Sequence, residues 1–112
     1  MELLVFILNN SDTLEKIMVE FANIGIKGST IIDSVGMANV LSSCEEVSMF
    51  SSLSMLMNKG RTSNVTVITV LKKEKVNKAL EIINKVTGGL DKAGTGIAFT
   101  VPVGQVIGGS FN

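Results

Sequence analysis

Two strand-helix-strand units in succession along 112 residues predict an α+β sandwich of order βαββαβ. Three observations carry that expectation. Glu2 to Leu8 is almost continuously apolar, the pattern of a strand covered on both faces. Apolar residues recur at helical spacing in two later stretches, Leu14-Ile17-Met18-Phe21-Ala22 and Val76-Ala79-Leu80-Ile83-Val86. Each of these is followed by a β-prone run. Four mostly antiparallel strands with two helices on one face make a ferredoxin-like sandwich, here with an extra helical segment between strands 2 and 3.

The elements follow in order. After the first strand, Asn9 to Asp12 supply turn and capping residues, and Asp12 with Glu15 approximates a capping box for the first helix. That helix ends at Asn23-Ile24-Gly25, where glycine accepts the left-handed C-terminal conformation. Ser29 to Val35, with Thr30, Ile31 and Ile32, reads as the second strand. The segment from Met37 to Ser63 is too long for a plain hairpin. Val47, Phe50, Leu53, Leu56 and Met57 predict a short amphipathic helix within Val47 to Met57, stopped by Asn58-Lys59-Gly60. Its many serines weaken helix propensity, and its Met/Leu stripe suits either packing on the sheet or docking a partner. Asn64 to Leu71 alternates as a strand, and Lys72 to Val86 forms the second helix, with its lysines read as a solvated face. A last strand covers about Gly96 to Val101; Pro102 ends it or places it on an edge. Val103 to Asn112 is weakly specified.

Composition narrows the function. Hydrophobic residues make up 46% and charged residues 18%, which is the balance of a folded domain short of polar surface. Ten basic and ten acidic residues cancel, with no basic block, so nucleic acid is not expected as a partner. No apolar run approaches the ~20 residues of a membrane span. The first residues lack a basic region and a small-residue cleavage site, so they read as a strand and not as a signal peptide. A lone Cys44 cannot form an internal disulfide, which fits a reducing, cytoplasmic setting. Histidine, tyrosine and tryptophan are absent, and Glu45 and Glu46 disfavour a Cys44 thiolate. No paired catalytic carboxylates are recognisable. The expectation is a protein without enzymatic activity or a metal site.

Thr87 to Val103, TGGLDKAGTGIAFTVPV, is the most informative stretch. Gly94, Thr95 and Gly96 can bring bare backbone amides to the mouth of the sheet, where glycine permits close approach and positive φ. For a Gly-x-Gly alone, a tight turn before a strand is the plainer account. With its Thr-Gly start, an aromatic within the strand and a Pro-Val end, the stretch resembles the phosphate-binding loop of the PII nitrogen-regulatory signalling proteins. The turn Gly25-Ile26-Lys27-Gly28 and the Val35-Gly36 pair resemble the same family at matching spacing.

That resemblance implies a homotrimer whose sheets line the centre, with ATP or ADP, and 2-oxoglutarate beside ATP, bound in clefts between subunits. Thr30 matches the position near the adenine, Gly36 the start of the large loop, and Gly94 and Gly96 the phosphate-loop glycines. Ile97 stands where the family carries lysine, and the loop before Gly94 is longer than usual. Gly108 and Gly109 occupy the neighbourhood of the family's arginines. The signalling loop with its glutamine and modifiable tyrosine is replaced by the serine- and methionine-rich segment. A hydrogen bond to a charged group contributes ~1.5–3 kcal/mol, so losing several such cations weakens binding by about a hundredfold or more. Lys92 is the candidate replacement cation.

The sequence therefore predicts a divergent PII-like regulatory protein that senses a small ligand at subunit clefts and binds a partner protein through residues 37–63. Its nucleotide site is degenerate, with weak adenine-nucleotide or anion binding and Thr30, Gly36, Lys92, Gly94, Thr95 and Gly96 as ligand-binding candidates. Two other readings stay open. One is a non-nucleotide sensor on the same topology, ACT-like or CutA-like; the other is a protein-interaction scaffold without a ligand. Two helices cover one sheet face only, and a wet apolar face forfeits several kcal/mol at ~25 cal/mol per Å². A homo-oligomer, a trimer on the family pattern, or the Val47 to Met57 helix must cover the other face.

Overall fold

The computed structural model describes residues 1–42 and 64–111. The architecture is α+β, with one four-stranded antiparallel sheet in the order β2-β3-β1-β4 and the two longer helices packed on one face. The strands are β1 (Glu2–Leu8), β2 (Ser29–Ser34), β3 (Asn64–Leu71) and β4 (Gly96–Pro102). The helices are α1 (Leu14–Asn23), α2 (Met37–Ser42) and α3 (Lys73–Thr87). The helix expected within Val47 to Met57 lies outside the described residues, as does Cys44.

Period-two alternation fixes which side chains face the helices. Leu4, Phe6 and Leu8 of β1 and Val65, Val67, Thr69 and Leu71 of β3 are buried beneath α1 and α3. The helices contribute Ile17 and Phe21 from α1 and Ala79, Ile82 and Ile83 from α3. Phe6 meets Phe21 edge-on, with ring centroids 5.9 Å apart at 74°.

The two helix ends differ from each other in a way the local sequence explains. At the end of α1 the Gly25 amide donates to the Ala22 carbonyl and the Ile26 amide to the Phe21 carbonyl. Gly25 sits at φ +85°, and buried Ile26 packs into the same core as Phe21. This is a Schellman motif, and it turns the chain towards β2. The start of α1 departs from the expected capping box. A single 3₁₀ turn, Ser11–Thr13, comes first, and the Asn10 side chain accepts from the Asp12 amide. Asp12 is thereby the inner residue of an Asn-capped turn, and Thr13 precedes α1 without a side-chain cap.

The second face of the sheet is open among the described residues. Cross-strand register places Thr30, Ile68, Val5 and Phe99 in one row across all four strands on that face. Leu3, Ile7, Val70, Ile97 and Val101 extend it. Phe99 remains 44% exposed and Ile97 55%, so the open face is apolar and wet in the single chain. β2 ends at Ser34, one residue earlier than the pattern suggested, and Val35 leads to Gly36.

Candidate functional site

The glycine-rich loop is built as a series of turns hung from the end of α3. Gly88 closes the helix in the left-handed conformation, and the Asn84 side chain accepts from the Leu90 amide at 2.8 Å. The Lys92 amide then donates to the Gly89 carbonyl at 3.3 Å, and the Thr95 amide to the Lys92 carbonyl at 3.2 Å. β1 holds the loop from the other side. The Asn9 amide donates to the Thr95 carbonyl at 3.1 Å, and its side-chain Nδ2 to the Gly94 carbonyl at 3.0 Å. Asn9 was expected only as a turn residue. Its signal was a carboxamide placed directly after an apolar strand, where main chain needs partners.

The candidate residues receive distinct placements. Gly94 takes φ +79°, a conformation that disfavours any side chain. Gly96 enters β4 opposite Leu8, so close to β1 that a Cβ there would stand 2.1 Å from the Ile7 carbonyl oxygen. Its glycine thus has a packing cause, while the Thr95 amide is already engaged within the loop. The Lys92 ammonium lies over Gly88, 3.8 Å from where a Cβ would be, at the C-terminal end of α3. A cation there complements the helix dipole. Ile97 pairs with Ile7 and belongs to the open apolar face.

Thr30 and Gly36 lie at the opposite edge. Thr30 is exposed on β2, three strands across from β4. Gly36 accepts at its carbonyl from the Asn39 and Val40 amides and so starts α2. Beside it, the Ser34 hydroxyl meets Asn64 Oδ1 in a short contact and lies 2.8 Å from the Thr66 hydroxyl. This polar group on the open face was not singled out from sequence, because each residue reads as ordinary strand polarity. Within one chain, then, Gly94, Thr95 and Gly96 are brought together, and Thr30 and Gly36 are kept away from them.

A hollow of about 250 Å³ opens at the end of the sheet where β2 begins, and Thr30 lines it. Its wall includes the Gly25–Gly28 turn, Lys27, Lys72, Lys75 and Phe111. Lys72 and Lys75, read from sequence as part of a solvated face, are half-buried here, whereas Lys73, Lys78 and Lys85 are exposed. Among the described residues no group of three or more His, Cys, Asp or Glu is placed to hold a metal ion. Nor is any described helix long and apolar enough to cross a membrane. No protein-family model matches the chain, and the curated proteins contain no match to it.

Proposed function

We propose that this chain is a divergent PII-like regulatory protein of the cytoplasm, with a ferredoxin-like fold, assembled as a homotrimer and without enzymatic activity. It senses a small ligand in clefts between subunits and passes the state to a partner protein through residues 37–63. The observation that supports this most is the division of the candidate site between the two outer strands. Thr30 belongs to β2 and Gly36 follows its end, whereas Gly94 to Gly96 lead into β4, at opposite edges of one sheet. A single pocket using both sets needs a second copy to bring one edge to the other. The open row Thr30-Ile68-Val5-Phe99 supplies apolar surface for such an assembly, since each large apolar side chain buried contributes roughly 1.5–3 kcal/mol.

The nucleotide site in this reading is weak. Ile97 neutralises no phosphate charge, and Lys92 rests at the end of α3. Light scattering at micromolar concentration with calorimetry against ATP, ADP and cyclic AMP tests the proposal. A trimer with ATP weaker than low-micromolar and no enhancement by 2-oxoglutarate is expected. A monomer of 11.9 kDa would overturn the assembly, and tight ATP binding would overturn the degenerate site.

A specific observation favours the scaffold reading as runner-up. The Thr95 amide is engaged by the Lys92 carbonyl, and the Gly96 glycine is accounted for by the Ile7 carbonyl. With both features used internally, the loop serves as a structural joint. Failure of every nucleotide and anion to shift the Gly94–Gly96 amides in NMR spectra would select that reading.

A further inference from the structure

We propose that the segment after β4 docks this protein on an anionic lipid surface, with Ile107 as its apolar anchor and lysines at the same end of the sheet meeting the headgroups. Neither the glycine loop nor residues 37–63 take part, so the inference goes beyond the regulatory reading.

The anchor is a displayed side chain. Gly104 to Ser110 are all exposed. Ile107 is 98% exposed, more than any other large apolar side chain among the described residues, and Val106 beside it is exposed as well. Burying a branched aliphatic side chain is favourable, and Ile107 in the single chain forgoes that gain. A frayed segment would account for such exposure, but both feet of this one are fixed. The Val103 amide donates to the Met1 carbonyl at 3.1 Å and prolongs the β4–β1 pairing. At the other foot Gly108 and Gly109, at φ +89° and +82°, turn the chain back. The half-buried Phe111 ring then comes to rest beside the Gly25–Gly28 turn. A Cβ on Gly109 would stand 2.8 Å from that ring, so only a bare backbone permits the return. A segment held at both feet loses little freedom on docking, which favours binding.

Charge selects the surface. Both feet lie where β3 ends. Glu2 pairs with Leu71 on one side and with Pro102 on the other, and Phe111 borders the same hollow as Lys27, Lys72 and Lys75. Lys73 follows directly, and Lys27 and Lys73 are exposed. None of these four lysines forms an ion pair with a described residue. Glu2 and Glu74 adjoin them, and four positive charges outweigh two negative ones. The chain as a whole is neutral, so this excess is a local polarity of one end. Near an anionic leaflet each such lysine strengthens attachment by about fivefold.

That chemistry separates the possible partners. A second copy of this end would bring lysines against lysines, which repel. A protein partner needs a shaped interface of about 800 Å² on each side, whereas this segment offers one projecting aliphatic group and forms no strand. A bilayer asks for less. An apolar tip reaches below the headgroups, and lysine stems lie along the interface with their ammoniums level with the phosphates. No described helix is long and apolar enough to cross a membrane, so the attachment is peripheral and reversible.

The test is sedimentation of the full chain, at low salt, with vesicles of phosphatidylcholine and phosphatidylglycerol in equal parts and with vesicles of phosphatidylcholine alone. The chain should sediment with the anionic vesicles at millimolar lipid and stay in solution with the neutral ones. Ile107→Ser, which removes the anchor without changing charge, should weaken binding by about tenfold. The paired change Lys27→Gln and Lys73→Gln should weaken it by about tenfold or more. All three positions are exposed, and thermal unfolding reports that the variants are folded. No sedimentation with anionic vesicles, or equal sedimentation with neutral ones, would overturn the proposal. Loss of binding in the lysine variant with none in Ile107→Ser would also overturn it, since charge alone would then suffice and an acidic protein surface would serve as well. A changed oligomeric state in Ile107→Ser, with vesicle binding unaltered, would assign the segment to contacts between copies instead. Nucleotide binding and trimer formation do not enter this readout, so failure of the regulatory reading leaves the test intact.

Discussion

A Cβ placed on Gly96 would lie 2.1 Å from the carbonyl oxygen of Ile7, on backbone that no rotamer change can relieve. The glycine that begins β4 is therefore set by the distance between two strands. Gly96→Ala must push β4 away from β1, and a loss of about 2–4 kcal/mol in urea unfolding is expected. Gly94→Ala, whose burden is a positive φ, should cost about 1–2 kcal/mol. If Gly96→Ala unfolded within about 0.5 kcal/mol of the parent, the close approach would be wrong.

The buried Thr69 hydroxyl donates to Gly28 and fixes the turn before β2. Thr69→Val keeps the shape but leaves the Gly28 carbonyl without this donor. A loss of about 1–2 kcal/mol should follow, with faster hydrogen exchange in β2 than in β1. Unchanged exchange across β2 would show that the turn is held by other contacts.

Assembly through the open face predicts a charge-sensitive interface. Phe99→Glu puts a carboxylate in the centre row without touching the helix-covered core. Analytical ultracentrifugation should show the parent as an oligomer and the variant as a monomer that keeps its helical circular dichroism. An oligomer that survives Phe99→Glu would place the interface elsewhere.

Ile97→Lys places a cation on the residue directly after Gly96. Its side chain is 55% exposed, so a lysine fits without repacking. If nucleotide phosphates lie at the loop, ATP affinity should rise by about tenfold, the worth of one charged hydrogen bond. Calorimetry showing no gain would mean that the loop presents nothing for the phosphates to join.

Much of the fold was legible because its signals are local. The alternation of β3 and the apolar run of β1 gave their bounds, and Gly25 marked the end of α1 by the conformation it takes. What escaped depended on partners distant in the chain. Asp12 and Glu15 have capping-box spacing, but Asn10 claims the Asp12 amide first. Met37–Ser42 is too short to show a period. Lys72 and Lys75 match their exposed neighbours in composition, and only the late start of β2, opposite Thr69, leaves a hollow beside them. For the candidate site, the glycine loop was legible as backbone chemistry, whereas its tie to Asn9 joins residues at the two ends of the chain. Its separation from Thr30 is a property of strand order, which no single stretch of sequence carries.

The strand order also governs when this protein can fold. Of the sheet's four strands, β1 is synthesised first and occupies an interior place, pairing with β3 on one side and with β4 on the other. Both partners come from the second half of the chain. A ribosome therefore releases the most apolar strand long before either of its edges has a neighbour. Cooperative folding must wait for the last strand to emerge, and such distant pairing slows the search for the native register. Until then the nascent chain carries an unpaired strand edge, which is the kind of segment that general chaperones hold.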